Sequence, residues 1–150
     1  MTLSEKEHLL IKDMKGQEEL CIKKYTRYAS EAKSSELSEI FESIARTEQE
    51  HLNTVNIIAE GTVPPLEQKV SAPKESACTP YSYSEEDKKA DQLLLSDMLA
   101  MEKHVSSLYD TSIFEFSSPE LRAALNHIQT EEQQHGERLY AYMKCNNMYS

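Results

Sequence analysis

The sequence predicts an all-α protein, a four-helix bundle formed by the whole chain. Its 150 residues include only 3 Gly and 5 Pro, which argues against a sheet of many short strands. Four long segments carry apolar residues at alternating spacings of three and four, the pattern of a helix that buries one face. A chain of this length suits one ordinary domain, so we expect residues 1–150 to form a single bundle.

Serine and proline residues mark the predicted starts of these helices. The expected helices cover approximately residues 4–32, 35–60, 84–116 and 118–144. Ser4 and Glu7 resemble a capping box, and Ser84 precedes an acidic first turn. Pro119 suits the first position of a helix.

A single long connection separates the chain into two helical hairpins. Four of the five prolines fall between Gly61 and Tyr83, so residues 61–84 read as one connection. Only a few residues join the helices within each half, which predicts antiparallel hairpins over about 4–60 and 84–144. The connection is long enough to travel the length of a bundle. We therefore expect an up-down bundle with one long crossover between its second and third helices.

The two hairpins are related by an internal repeat. When the sequence is displaced by 84 residues, identical residues coincide throughout both helices of each hairpin. The matched pairs include Asp13 and Asp97, Glu18 and Glu102, Tyr25 and Tyr109, Ser34 and Ser118, Glu48 and Glu132, and His51 and His135. Two similar hairpins side by side imply a pseudo-twofold axis. What one hairpin contributes at their interface, the other should contribute symmetrically.

A glutamate interrupts the apolar stripe near the middle of every helix. These residues are Glu18, Glu48, Glu102 and Glu132. An isolated buried carboxylate is strongly disfavoured, and four in one interior would also repel one another. No Lys or Arg lies on the predicted stripes. Because two divalent ions would balance four carboxylates, we predict a metal pair in the bundle core.

A histidine follows two of these glutamates at helical spacing. In Glu48-x-x-His51 and Glu132-x-x-His135, residues i and i+3 share one helical face about 5 Å apart. One glutamate from each of two helices, and Glu-x-x-His from each of the other two, is the ligand pattern of di-iron carboxylate bundles.

With these motifs the chain resembles the ferritin-like superfamily. The similarity covers nearly the whole chain and is nearest to rubrerythrin-type di-metal domains and to bacterial spore-coat F-type proteins. The stretch from Leu121 to Met143, together with the closing Met148-Tyr149, resembles the coat F type. The fold implied is a ferritin-like four-helix bundle.

The resemblance also implies a role for each predicted ligand. Glu18 and Glu102 would be terminal ligands, Glu48 and Glu132 bridging carboxylates, and His51 and His135 one imidazole per ion. Tyr25 and Tyr109 are the candidate catalytic residues, which tune or relay, although simple core packing stays open for both. Many rubrerythrins have a further glutamate where this chain has Val105, so the resemblance does not supply that residue for redox-linked ligand exchange.

Two functions follow from the resemblance. The first is a rubrerythrin-like oxidoreductase whose carboxylate-bridged di-iron or di-manganese centre reacts with peroxide or O₂. The cofactors would be two divalent ions, with iron favoured and manganese left open. The alternative is a structural spore coat protein that uses the bundle as a scaffold, with or without metal. Its partners would be copies of itself, as a homodimer, or other proteins of a coat assembly.

Charge and hydropathy limit the other partners. With 26 acidic against 16 basic residues and a net charge of −10, the chain would repel nucleic acid and anionic lipid. It has no apolar run of bilayer length, and because residues 1–8 are polar we expect no secretory leader. We therefore expect a cytoplasmic protein or, under the alternative, one that reaches the spore coat after cytoplasmic synthesis.

The remaining cysteines, histidines and acidic residues near the stripes carry weaker expectations. Cys21 is expected to pack in the core, and Cys78 and Cys145 to be incidental or to cross-link an assembly. Glu131 is expected to be solvated, and His127 to lie at the surface or beside a ligand.

Overall fold

The computed structural model describes residues 1–65 and 78–149. The described part contains four α-helices and no strands, which confirms the predicted fold class. The helices are α1 (Glu5–Glu31), α2 (Ser35–Ala59), α3 (Glu85–Glu115) and α4 (Pro119–Cys145). Each boundary lies within one residue of its expected position. Part of the predicted crossover, residues 66–77, lies outside the described residues.

A serine caps the N-terminus of every helix. The side chains of Ser4, Ser34, Ser84 and Ser118 each accept a hydrogen bond from the backbone N–H three residues later. At α1 the Glu7 side chain also accepts from the Ser4 N–H, which completes the predicted capping box. These caps satisfy backbone donors that have no partner inside a helix.

The helices form an antiparallel arrangement around the core. Helix α1 packs against α2 and α3, and α4 packs against α2 and α3. Lys6 near the start of α1 pairs with Glu115 at the end of α3 at 2.5 Å, so these two helices are antiparallel. Helices α2 and α3 therefore run in the same direction at opposite corners of the bundle, and joining them requires the long crossover that the sequence predicts.

The buried stripes run through the helix centres as predicted, but two of them shift near their ends. In α2 and α4 every predicted stripe residue is buried. At the C-terminal ends, the helical period predicts Tyr28 and Ala32 on the stripe of the first helix and Ile113 on that of the third, but these three residues are only half-buried. At the N-terminal ends, the period predicts Leu10 in α1 and Leu94 in α3, but Ile11 and Leu95 are buried instead. Three consecutive apolar residues occur at both places, so the sequence leaves the local phase ambiguous and packing against the neighbouring helices decides it.

A buried aspartate fastens the α1–α2 connection to α3. The Asp91 carboxylate is fully buried and accepts hydrogen bonds from the backbone N–H groups of Lys33 at 2.8 Å and Ser34 at 3.2 Å. It also accepts from the Tyr83 hydroxyl at 2.6 Å, and this hydroxyl contacts that of Tyr142. The network joins the loop between the first two helices to the beginning of α3 and the end of α4.

The structure corrects the expectation for two of the cysteines. Cys78 and Cys145 form a disulfide. The neighbouring backbone explains the pairing, since the N–H of Tyr81 donates to the Asn146 side chain at 2.9 Å and holds the segment before α3 against the end of α4. Because 67 residues separate the two cysteines in the sequence, the sequence alone does not indicate that they lie close together.

Candidate metal centre

The six predicted ligands meet at one level of the bundle interior. Helix α1 supplies Glu18, α2 supplies Glu48 and His51, α3 supplies Glu102, and α4 supplies Glu132 and His135. All six side chains are buried, with at most 5% of any residue exposed. They lie together because each occupies the central position of a stripe that faces the same core.

The cluster divides into two overlapping groups of four residues. One group contains Glu18, Glu48, His51 and Glu132, and the other contains Glu48, Glu102, Glu132 and His135. Within each group one ligand atom per residue lies within 4.8 Å of all the others. The two groups share Glu48 and Glu132, the residues to which the resemblance assigns the bridging position.

Both imidazoles direct Nδ1 into the cluster. Nδ1 of His51 lies 3.3 Å from Glu48 and 3.2 Å from Glu132. Nδ1 of His135 lies 2.9 Å from Glu48 and 3.3 Å from Glu102. The two rings are stacked with their centroids 5.8 Å apart. Each imidazole therefore belongs to a different group of carboxylates.

Many polar atoms of the cluster lie close to one another but have no partner in hydrogen-bonding geometry. Among the described residues the unpaired atoms include Oε2 of Glu18, Oε1 of Glu48, Oε2 of Glu102, both carboxylate oxygens of Glu132 and Nδ1 of His135. Buried polar atoms are nearly always hydrogen-bonded in folded proteins, so this concentration demands an explanation. Carboxylate oxygens and imidazole nitrogens are donors that iron and manganese accept. The residues present therefore fit a pair of divalent cations.

In the metal-free cluster, burial and neighbouring groups shift the pKa values of the carboxyl groups in different directions. Burial raises the pKa of Glu18 and of Glu132 well above the ordinary value, and the neighbouring carboxylates raise both further. Burial also acts on Glu48, but its close contacts with Glu18, His135 and His51 together outweigh burial and hold the pKa of Glu48 well below that value. Without cations, the cluster thus keeps protons on some carboxyl groups to limit repulsion.

At the two imidazoles the carboxylates oppose the effect of burial on the pKa. Burial by itself would lower both histidine pKa values. Contacts with Glu131, Glu132 and Glu48 nevertheless raise the pKa of His51 well above its ordinary range. Contacts with Glu102 and Glu48 raise the pKa of His135 to about 9. In the metal-free protein both rings are therefore charged at neutral pH and partly compensate the carboxylates.

The two candidate catalytic tyrosines form crossed hydrogen bonds with the cluster. The Tyr25 hydroxyl on α1 donates to Glu102 on α3 at 2.5 Å, and the Tyr109 hydroxyl on α3 donates to Glu18 on α1 at 2.6 Å. Both rings are fully buried, so each tyrosine is a core residue as well as a partner of a carboxylate. Burial, and then the adjacent carboxylate, raises the pKa of each phenol, which keeps its proton in place.

Cys21 packs beside the cluster as a core residue. Its side chain is fully buried, and its thiol is unpaired. Burial and the nearby carboxylates, Glu48 foremost, raise the pKa of this thiol. The uncharged thiol is consistent with the predicted packing role.

The expectation from the sequence was wrong for Glu131 and imprecise for His127. Glu131 is not simply solvated, because its carboxylate lies 3.2 Å from Nε2 of His51. The same carboxylate oxygen lies 2.9 Å from Nε2 of His127. The i, i+4 spacing of His127 and Glu131 predicts their mutual contact, but the contact with His51 depends on how α4 is rotated against α2.

A groove between α3 and α4 leads toward one side of the cluster. Its volume is about 790 Å³, and Glu102 and Glu132 contribute to its lining. Gly136 also lines it, and a Cβ added there would first meet Leu99 at 3.8 Å. The repeat places Leu52 at the corresponding position of α2, so the second hairpin has no side chain where the first has a leucine.

A comparison with models of known protein families finds a match in the second half of the chain. Residues 90–150 match the family model of the Coat F domain. This region contains Glu102, Glu132 and His135, half of the predicted ligands. No curated protein and no solved structure matches the chain. No helix in the described ranges has the length and apolar character required to cross a membrane.

Proposed function

We propose that the protein is a structural component of a bacterial spore coat and that two divalent cations stabilise its bundle. The Coat F match over residues 90–150 supports the coat role. The observation that carries the metal part is the pair of overlapping donor groups with unpaired buried oxygens. Metal bound between the two hairpins would contribute directly to the stability of the folded state.

The burial of the cluster favours a structural role for the cations. Each carboxylate of the cluster is at least 97% buried, and no Lys or Arg side chain forms an ion pair with these carboxylates within the described ranges. Cations enclosed there would replace protons and imidazolium charge as the compensation for four acidic groups. Iron is favoured, and manganese suits the same oxygen and nitrogen donors.

Metal content and thermal stability test the metal part of this proposal. Metal-free protein would be dialysed against Mn²⁺, or against Fe²⁺ without oxygen, and the bound metal measured by elemental analysis. We expect two ions per chain and a rise in melting temperature of more than about 5 °C. Retention of no metal by the folded wild-type protein would overturn this part of the proposal.

A matched pair of variants locates the metal in the cluster. Glu132→Gln resembles the protonated form that burial favours, so the metal-free variant should stay folded. It should lose most of the metal-dependent rise in melting temperature. Glu50→Gln makes the same chemical change at an exposed position of α2 and should behave as the wild type.

Location in the spore tests the coat part separately. The tagged protein would be produced during sporulation of a spore-forming bacterium, and its amount compared in spore coat extracts and in the mother-cell and core fractions. We expect enrichment in the coat extract. Confinement to the soluble core fraction would contradict the coat role without affecting the metal site.

A redox enzyme is the second candidate function, and the crossed tyrosine bonds favour it. A metal pair of this kind supplies electron exchange with peroxide or O₂ when bound. Tyr25 and Tyr109 would hold Glu102 and Glu18 in fixed orientations, and the groove would admit a small oxidant to one side of the cluster. If metal-loaded protein consumes peroxide and Glu132→Gln does not, the result would support an enzymatic role. If metal-loaded wild-type protein consumes no peroxide, the result would support the structural role instead.

A further inference from the structure

The contacts of His51 extend from the buried cluster to the protein surface. Its Nδ1 faces the carboxylates, while Nε2 on the opposite side of the ring contacts Glu131 at 3.2 Å. Glu131 in turn contacts His127 at 2.9 Å. His51 is 2% exposed, whereas the Glu131 and His127 side chains are 26% and 43% exposed. The outer carboxylate is thus held between one buried ring and one surface ring.

The other imidazole of the cluster lacks this arrangement. The repeat places Thr47 where α4 has Glu131, and Ser43 where α4 has His127. The Thr47 hydroxyl donates to the Ser43 carbonyl within its own helix. Among the described residues, no hydrogen-bond partner contacts Nε2 of His135. The pseudo-twofold symmetry therefore holds for the six predicted ligands and for the two tyrosine hydrogen bonds, and it fails behind the two imidazoles.

A carboxylate behind a metal-binding imidazole has a defined chemical effect. It accepts the N–H of the outward nitrogen, which leaves the inward nitrogen free to bind metal and fixes the plane of the ring. It also makes the imidazole a stronger donor. Loss of such a partner reduces metal affinity by about 10- to 100-fold. Within residues 1–65 and 78–149, this support is found only in the donor group that contains His51.

We propose that Glu131 makes the two cation positions unequal, so that the position built on His51 fills first and binds more tightly than the position built on His135. Glu131 acts as a positioning residue through His51 and does not itself join the group around either cation. This inference rests on the proposed metal binding. It adds an order of filling that the symmetric ligand pattern does not contain.

Titration of the metal-free protein with Co²⁺ tests the inequality directly. Bound Co²⁺ is followed by its visible absorption, with the stoichiometry fixed by elemental analysis. We expect two resolved steps in the wild type. Glu131→Gln should weaken the first step by about 10- to 100-fold and leave the second unchanged, so that the two steps merge. Glu50→Gln, an exposed change on α2, is the control.

A reciprocal variant and an NMR measurement separate positioning from a general loss of structure. Thr47→Glu introduces a carboxylate at the corresponding place behind His135 and should tighten the second step. In Co²⁺-loaded wild type, one imidazole N–H should exchange slowly with solvent, and Glu131→Gln should abolish this protection. Melting curves of each metal-free variant establish that it is folded.

The outcomes distinguish failure of the inference from failure of the proposed function. Wild-type protein that binds no cation refutes both. Two cations bound with equal affinity, or two unchanged steps in folded Glu131→Gln, refute the inference and leave the metal site intact. Failure of Thr47→Glu to alter the second step, in a variant shown to be folded, also counts against it.

Discussion

At the scale of single residues, the two crossed tyrosine bonds give the sharpest test of how the ligands are held. We expect Tyr25→Phe to lower the affinity of the site for Mn²⁺ by about 10-fold or more, because Glu102 loses the hydroxyl that orients it. Calorimetric titration of metal-free protein measures the change.

Helix α1 also contains Tyr28, which offers a matched control for the Tyr25→Phe substitution. The Tyr28 hydroxyl also donates to a carboxylate at 2.5 Å, but that carboxylate belongs to Asp97, outside the cluster. Tyr28→Phe should leave Mn²⁺ affinity unchanged. If both variants bind metal as the wild type does, the hydroxyl of Tyr25 has no part in orienting a ligand.

The positions of the predicted ligands follow from the sequence, whereas their supporting residues do not. Glu18, Glu48, Glu102 and Glu132 lie at the centres of their stripes, where helical period alone places them in the core. Glu131 lies one residue, or about 100°, away from the buried face. Its contact with His51 is set by the rotation of one helix against another, which periodicity does not encode.

At the scale of helices and connections, Asp91 is the polar residue on which the α1–α2 loop depends. Asp91→Ala would leave three donors without their acceptor, namely Lys33 N–H, Ser34 N–H and the Tyr83 hydroxyl. We expect the free energy of unfolding to fall by about 3 kcal/mol, measured by urea denaturation.

Asp97 provides the comparison for Asp91 on the same helix. Its side chain is 36% exposed, and it accepts from Lys24 and Tyr28. Asp97→Ala should cost roughly 1 kcal/mol, because water replaces part of what is lost. Equal losses for the two variants would show that burial of Asp91 does not strengthen its network.

The disulfide stabilises the second hairpin by closing a long loop. Replacing both Cys78 and Cys145 by Ser opens a loop of 67 residues, and the chain-entropy relation gives a loss of about 4 kcal/mol. Urea denaturation of the oxidised wild type and of the double variant measures it. A reduced wild type as stable as the oxidised one would contradict the prediction.

The helices themselves follow almost completely from local sequence, and the remaining differences have a common origin. Caps such as Ser34 and Ser118 specify where helices begin because they act within four residues. The buried face near Leu10 and Leu94 depends on neighbouring helices, and the Cys78–Cys145 pair depends on the whole topology. Contacts between distant segments are therefore what the sequence leaves undetermined.

At the scale of the whole molecule, the metal-free protein should lose stability as pH rises, whereas the metal-loaded protein should be much less sensitive to pH. The pKa of His51 is raised, and that of His135 is raised to about 9. Both contribute stability that is fully present below the unfolded value of about 6.5 and is lost as pH rises to about 9. The raised pKa values of Glu18 and Glu132 act in the same direction.

We therefore expect metal-free protein to lose on the order of 3 kcal/mol between pH 6.5 and 9 from His135 alone. Metal binding displaces protons from the ligands, so Mn²⁺ affinity should increase over the same range. Thermal melts with a chelator and with Mn²⁺ at each pH measure both effects. A gap between the two melting temperatures that stays constant would contradict the prediction.

The division of the donors between the hairpins has a consequence for assembly of the chain. Each group of four takes three residues from one hairpin and one from the other, since Glu132 completes the first group and Glu48 the second. Neither half can build a full coordination sphere before the halves have docked. The number of bound ions per chain would accordingly indicate whether the two hairpins have docked correctly. A chain whose hairpins are docked incorrectly would bind fewer than two ions.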